Sequence, residues 1–355
     1  MYKKIIRPIL FKLDPEFVHN LTILAGRFAS FTRLSILLRP LFVIKDKKLE
    51  TSILGIHLDN PIGLAAGFDK NARLTKFIPD IGFGFMEVGS VTAEPCEGNK
   101  KPRVHRLVQN EGIVVNFGLS NHGADKIFKR LSKKKFKIPV GISIAKTNDP
   151  SIKGKASIED YVKTFKRMRS IGSYITLNIS CPNTGDGKTF EDTILLKMLL
   201  KEINLSRKSE KIFLKISPDL DKTKLDKILI IADKYNINGF IVSNLTKNRK
   251  GLKQEENLKF PGGISGKYIN KKSNLLINYI YKKTNGKFII IGCGGIFSGK
   301  DAYEKIKNGA SLIQLITGMI FEGPGIIKKI NKELIDLLEK DGYNNIKEAI
   351  GKNVL

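Results

Sequence analysis

KFIIIGCGG, residues 287–295, is the stretch on which the fold turns: an unbroken apolar run, Phe288 to Ile291, that ends in a cluster of glycines. A short run rich in β-branched residues with no polar face has no side for water, which marks a strand of a parallel sheet covered on both faces. Seven more such runs can be read: IGLAAGFD (62–69), GFMEVGSV (84–91), PVGISIAK (139–146), YITLNIS (174–180), KIFLKIS (211–217), GFIVSN (239–244) and SLIQLIT (311–317). Amphipathic helical stretches separate them. Eight strand-plus-helix units favour a closed barrel over an open doubly wound sheet. The expected class is α/β, a (β/α)8 TIM barrel with an N-terminal helical extension.

Residues 1–48 read differently from the rest. Ile5, Ile6, Ile9, Leu10 and Leu13, then Phe17, Leu21, Leu24 and Phe28, recur at helical spacing, and basic residues outnumber acidic ones around them. This predicts two units: a helical module over 1–48 and a barrel over 49–355. From spacing alone the module is either an amphipathic surface that lies on an anionic bilayer or a helix pair packed on the side of the barrel.

Composition narrows the classes. The 355 residues carry 62 Lys plus Arg against 34 Asp plus Glu, a net charge of +28. The lysines are spread along the whole chain without a nucleic-acid-binding motif, so the charge reads as solvated surface. Cys96, Cys181 and Cys293 form no CxxC pair and no His stands at ligand spacing, so neither a disulfide framework nor a metal site is expected. No apolar run reaches the roughly 18 residues of a membrane span, and the start lacks a signal-peptide pattern. The expected location is cytoplasmic, with peripheral membrane association (at the inner face of the cell membrane in a bacterium) on the bilayer reading of the module.

Polar and small residues gather where the apolar runs end: Asp69 and Lys70, Ser90, Asn178 to Asn183, Ser217, Asn244, Gly294 and Gly295, Thr317 and Gly318. In a barrel that end is the catalytic face. GCGGIFSG (292–299) leads from a strand into a helix, so its backbone N–H groups can meet a phosphate at the helix N-terminus, unless the glycines serve only a tight turn. Lys215 sits inside a strand, where a cation needs an anion or an electron-rich ring. Lys70 follows the first strand directly and can hold a carboxylate. In Asn178-Ile179-Ser180-Cys181-Pro182-Asn183-Thr184 two carboxamides flank a thiol: amides suit a ring bearing imide groups, and a thiol titrates near enough to neutrality to act as a general base. The alternative for Cys181 is a buried structural cysteine.

These segments together resemble the dihydroorotate dehydrogenase family over nearly the full chain. The resemblance rests on Leu13-Asp14-Pro15-Glu16 with His19, on Asn60-Pro61 and Gly63 to Lys70, on Lys101-Pro102-Arg103, on Asn178 to Thr184, on Lys215 to Asp219, on Gly262 to Gly266 and on Gly292 to Ile296. It implies FMN as cofactor, held by Ala66, Gly67, Ser90, Ser143, Asn178, Lys215, Ser243, Gly266, Gly294, Gly295, Thr317 and Gly318. It implies Lys70, Asn116, Asn178, Asn183 and Asn244 around dihydroorotate. Cys181 and Lys70 are then the catalytic pair, with Cys181 taking the C5 proton as hydride leaves C6. The helical module and the tail Asp341 to Gly351 are similar to the quinone-reducing class, which docks on membranes, so a quinone is the implied acceptor.

Four positions depart from the family pattern. Cys181 stands where the quinone class has serine, Val115-Asn116-Phe117-Gly118 replaces Asn-x-Met-Gly, Leu245 follows Asn244 in place of threonine, and Ser143 replaces an asparagine. They leave open a soluble dehydrogenase using fumarate or a nicotinamide and a relative acting on another cyclic imide such as dihydrouracil. A non-catalytic flavin- or phosphate-binding barrel is the alternative from another class.

Overall fold

The computed structural model describes residues 2–181 and 189–354. The chain opens with helical turns, Tyr2–Ile6, and three helices, α1 (Arg7–Lys12), α2 (Pro15–Phe31) and α3 (Leu34–Phe42). A hairpin, β1 (Thr51–Ile53) and β2 (Ile56–Leu58), leads into the barrel strands β3 (Ile62–Leu64) and β4 (Phe85–Val91). An antiparallel excursion follows, β5 (Val104–Leu107) and β6 (Gly112–Val115). Helix α4 (Ala124–Leu131) returns the chain to the barrel, where β7 (Val140–Ile144), β8 (Tyr174–Asn178), β9 (Ile212–Ile216) and β10 (Gly239–Val242) alternate with α5 (Lys155–Met168), α6 (Thr193–Ser206) and α7 (Lys222–Lys234). β11 (Gly263–Gly266) joins β6, and α8 (Asn270–Lys283), β12 (Ile289–Cys293), α9 (Gly299–Lys307) and β13 (Leu312–Leu315) complete the barrel before α10 (Thr317–Glu322) and α11 (Ile326–Lys340).

The barrel closes in the order β10-β12-β13-β3-β4-β7-β8-β9, with β9 pairing back onto β10 and every pairing parallel. All eight apolar runs read from the sequence are barrel strands. Alternation along each strand sends one set of side chains outward against the helices and the other inward. The inward set forms levels. The lowest is apolar, Phe85, Tyr174, Phe213, Ile241, Ile291 and Leu312, and the hairpin residues Ile53 and Leu58 pack beneath it. Above it lies a polar level: Glu87 is fully buried, and its Oε2 accepts hydrogen bonds from Thr176 Oγ1 at 2.8 Å and Gln314 Nε2 at 3.4 Å. The third level opens at the C-terminal rim.

The N-terminal module sits on that rim. α2 begins where Asp14 accepts a hydrogen bond from Phe17 N at 2.8 Å and Pro15 takes the first helical position, a capped start. Gly26 lets the helix approach closely: a Cβ there would meet Leu74 Cδ2 at 2.8 Å and Phe77 Cδ1 at 3.0 Å. The buried Glu16 and Arg103 pair, with Nε to Oε2 at 3.1 Å, and Arg106 donates to Leu13 O at 2.7 Å. α2 and α3 meet at 107°, and their other face leaves Phe17, Leu21, Leu24, Phe28, Phe31 and Leu37 exposed. One side of the module thus packs on the barrel, and the other is apolar and uncovered. Among the described residues no single helix is long and apolar enough to cross a membrane.

Candidate active site

The strand ends of β4, β8, β9, β10 and β13 bring Ser90, Asn178, Lys215, Asn244 and Thr317 to one cavity of about 400 Å³, within the range of small-molecule sites. A narrower space of about 70 Å³ continues from it, sharing Ala66, Lys215, Asn244, Ser265 and Thr317 and adding Ser243, Gly294, Gly295 and Gly318. Gly67, Lys70 and Cys181 line the larger cavity. A roomier cleft of about 950 Å³ lies between α4, α5 and α6 and contains none of these residues.

The polar groups are ordered by one another. Ser143 Oγ and Ser90 Oγ lie 2.8 Å apart, Asn178 Nδ2 donates to Ser90 Oγ at 2.9 Å, and Asn244 Nδ2 donates to Asn178 Oδ1 at 3.3 Å and Ser180 Oγ at 3.0 Å. Ser180 Oγ in turn donates to Lys215 O at 2.8 Å. Such a chain fixes each carboxamide before any ligand arrives, which lowers the cost of binding.

Two groups are left without partners. Lys215 is 5% exposed, and its ammonium makes no hydrogen bond or ion pair among the described residues. Ser243 Oγ is buried and likewise unpaired. A buried cation and hydroxyl facing a cavity call for acceptors that a ligand must bring. Glu87 is the charge that acts on Lys215 from the level below; burial pushes its carboxyl up, with the Lys215 charge and the Thr176 and Gln314 hydrogen bonds opposing. Burial pulls the Lys70 ammonium down to about 8, against the Glu16 charge, and burial with the Lys70 charge pulls His19 down to about 3. His19 is thus a neutral imidazole at the site, its ring edge-on to Phe68 with centroids 5.1 Å apart.

The glycines divide by purpose. At Gly67, φ is +110° and a Cβ would find nothing nearer than Ile316 Cδ1 at 3.7 Å, so the bare backbone borders open cavity. At Gly295, φ is +73° and a Cβ would strike Asn270 at 2.5 Å; at Gly318 it would strike Ile296 O at 2.0 Å. These two are glycines because protein lies behind them. The sequence leaves 292–299 either a phosphate seat at a helix N-terminus or a tight turn, and in the structure the start of that helix has side-chain acceptors of its own. Ser298 Oγ accepts from Asp301 N, the Asp301 carboxylate accepts from Phe297 N, and Glu333 accepts from Gly299 N, so the start of α9 is already capped. The N–H groups of Gly295 and Ile296, one turn earlier, have no acceptor among the described residues.

Three expected residues are not brought to the cavity. Asn116 turns away, its Oδ1 accepting from Asn99 Nδ2 at 2.8 Å, and Val115 and Phe117 face the cavity in its stead. Gly266 stands behind the wall and its neighbour Ser265 lines the cavity, with Oγ 3.0 Å from Thr317 Oγ1. Ser143 contributes only through Ser90. Asn183 lies outside the described residues. The sequence reading gave no site role to Ser265 or to Leu10, Phe11, Val18 and Thr22, which carry the larger cavity outward between the N-terminal helices; Leu10 had appeared there only as an apolar position at helical spacing. No group of His, Cys, Asp and Glu able to hold a metal occurs among the described residues.

The family model for dihydroorotate dehydrogenase matches residues 48–338. The chain is 39% identical to a protein of Christiangramia forsetii named dihydroorotate dehydrogenase (quinone), over 95% of this chain and 99% of that one. It is 37% identical to a protein of the same name from Nostoc punctiforme, covering 100% and 98%. Among solved structures it is similar to a dihydroorotate dehydrogenase of Eimeria tenella crystallised with ferulenol, at a TM-score of 0.87 and 29% identity over 96% of each chain. Similarity that runs through both the helical module and the barrel, at this identity, does not arise from a shared barrel alone, and the chain belongs to the dihydroorotate dehydrogenase family.

Proposed function

We propose that this chain oxidises dihydroorotate to orotate in pyrimidine biosynthesis, with FMN in the barrel mouth and a quinone as final electron acceptor. The observation that carries the reading is Lys215: a buried, unpartnered cation between the two cavities fits the electron-rich pyrimidine edge of a flavin. Ser243, Ser90 and Asn178 supply further groups along that edge, and Gly294, Gly295, Thr317 and Gly318 border the narrow space where a phosphate fits. When bound, FMN supplies the hydride acceptor. The chain supplies the rest. Lys70 offers its cation to the substrate carboxylate, Asn178 and Asn244 are pre-oriented for imide groups, and Cys181 removes the C5 proton while hydride leaves C6, so that one proton and one hydride account for the new double bond.

The quinone-named relatives favour a quinone over the fumarate and nicotinamide alternatives. Its path, on this reading, is the outward arm of the larger cavity between Leu10, Phe11 and Val18. The uncovered apolar face of α2 and α3, flanked by Arg27, Arg33 and Arg39, fits a peripheral contact with a membrane. The test is the visible spectrum of the purified protein without oxygen: a flavin band that bleaches on adding dihydroorotate supports cofactor and substrate together. A flavin that stays oxidised would overturn the substrate and leave the cofactor.

A further inference from the structure

Lys305, on α9, is fully buried. Its ammonium has one described partner, Asn274 Oδ1 at 2.7 Å, and no carboxylate within ion-pair distance among the described residues. A buried ammonium held by one neutral amide is expensive, and an apolar side chain of the same length would fill the space at less cost. The partners continue in one direction. Asn274 Nδ2 donates to Asn270 Oδ1 at 3.2 Å, and Asn270 Nδ2 donates to Gly295 O at 2.7 Å.

That last bond reaches the loop bordering the narrow space. In a planar trans peptide the N–H points opposite to the C=O. Tethering Gly295 O to α8 therefore aims the Ile296 N–H away from α8, and that N–H has no acceptor among the described residues. The Lys305 stem packs behind the end of β12, the strand that leads into this loop, since a Cβ on Gly292 would meet its Cδ at 3.3 Å.

We propose that Lys305 is a positioning residue for the cofactor's phosphate: it stands behind the glycine loop as a buried counter-charge and, through Asn274 and Asn270, holds the Gly295–Ile296 peptide in its anion-accepting orientation. This rests on the reading that an FMN phosphate occupies the narrow space. Burial pulls Lys305 down to about 7 against the charges of Cys293, Asp301 and Glu304, and a phosphate bound beyond the loop would act in the same direction as those charges.

The test compares FMN with riboflavin, which lacks only the phosphate. The full chain is stripped of flavin and titrated with each by quenching of flavin fluorescence. Lys305→Met is expected to weaken FMN by about tenfold while riboflavin affinity stays as in the wild type, so that the FMN preference collapses. Equal weakening of both flavins assigns Lys305 to the scaffold alone and overturns the proposal, as does no change. Asn270→Ala leaves Lys305 and Asn274 in place and is expected to lose part of the same preference; an unchanged preference there removes the relay. A wild-type chain that binds neither flavin overturns the FMN reading itself, a different failure from that of the variants.

Discussion

The Lys70 ammonium lies against the face of Phe117, 3.3 Å from the ring centroid. Phe117 belongs to the loop whose Asn116 turns away from the site, so a ring and not the amide stands against the lysine. A ring face favours the cation without satisfying its hydrogen bonds, and burial still holds Lys70 down to about 8. Lys70 is charged below that value and neutral above it, so binding of an anionic substrate weakens as pH rises through about 8. The kcat/KM profile for dihydroorotate should fall on its alkaline side near there. Lys70→Ala should cost about 2–5 kcal/mol in kcat/KM, and a profile that keeps its alkaline limb in that variant would assign the limb elsewhere.

Cys181 is expected to carry the proton transfer. Cys181→Ala should lower turnover by about 10²–10⁴-fold with flavin content unchanged. Cys181→Ser should retain turnover with its optimum displaced upward, because a hydroxyl releases its proton less readily than a thiol. Stopped-flow bleaching of the flavin across pH reads both, and unchanged bleaching in the alanine variant would remove the thiol from the chemistry.

His19 links acid stability to the module. Its folded value of about 3 lies below the ordinary 6.5, so below 6.5 the unfolded chain takes up the proton first and stability falls with pH. The slope from this residue is at most about 1.4 kcal/mol per pH unit, running from 6.5 down to the folded value. Urea unfolding at pH 7 and pH 5 should show the loss in the wild type and a smaller one in His19→Phe.

Two motifs far apart in the chain, Asp14-Pro15-Glu16 and Lys101-Pro102-Arg103, meet as the buried Glu16–Arg103 pair. Removing one partner strands the other charge. Glu16→Ala should destabilise by about 3–5 kcal/mol and expose α2 to protease before the barrel; a cleavage pattern like the wild type's would mean that other contacts hold the module.

Phe31→Asp with Leu37→Asp alters only the uncovered face of α2 and α3. Sedimentation with anionic vesicles should show weakened binding, and turnover with a short-chain soluble quinone should be unchanged. Equal sedimentation of variant and wild type would leave the membrane role of that face without support.

The barrel was legible because residues such as Phe288 to Ile291 are buried on both faces, and a run without polar breaks records that directly. The antiparallel flap was not. β5 reads Val-His-Arg-Leu, with His105 half-buried and Arg106 bonded to the module, so its pattern reflects particular partners and not a period. Ser90, Asn178, Lys215 and Thr317, on strand ends, reach one cavity because strand geometry dictates their direction. Asn116 was misplaced because a loop's direction depends on tertiary contacts, here Asn99, that no local pattern carries. The capping of α9 is only partly local, since Ser298 and Asp301 lie beside the glycines but Glu333, which occupies Gly299 N, is far along the chain.

The hairpin beneath the lowest apolar level makes the barrel a vessel corked at its base, with its neck at the opposite rim. Its tip, Leu54 and Gly55, is exposed, and a Cβ on Gly55 would touch nothing within 4 Å. Behind that tip lie a hydrophobic floor and the Glu87 level before the cavity. An affinity tag or partner domain spliced into the hairpin tip would hang from the sealed end, leaving the neck free for solutes, which makes Leu54–Gly55 the natural handle for immobilising this enzyme on a surface.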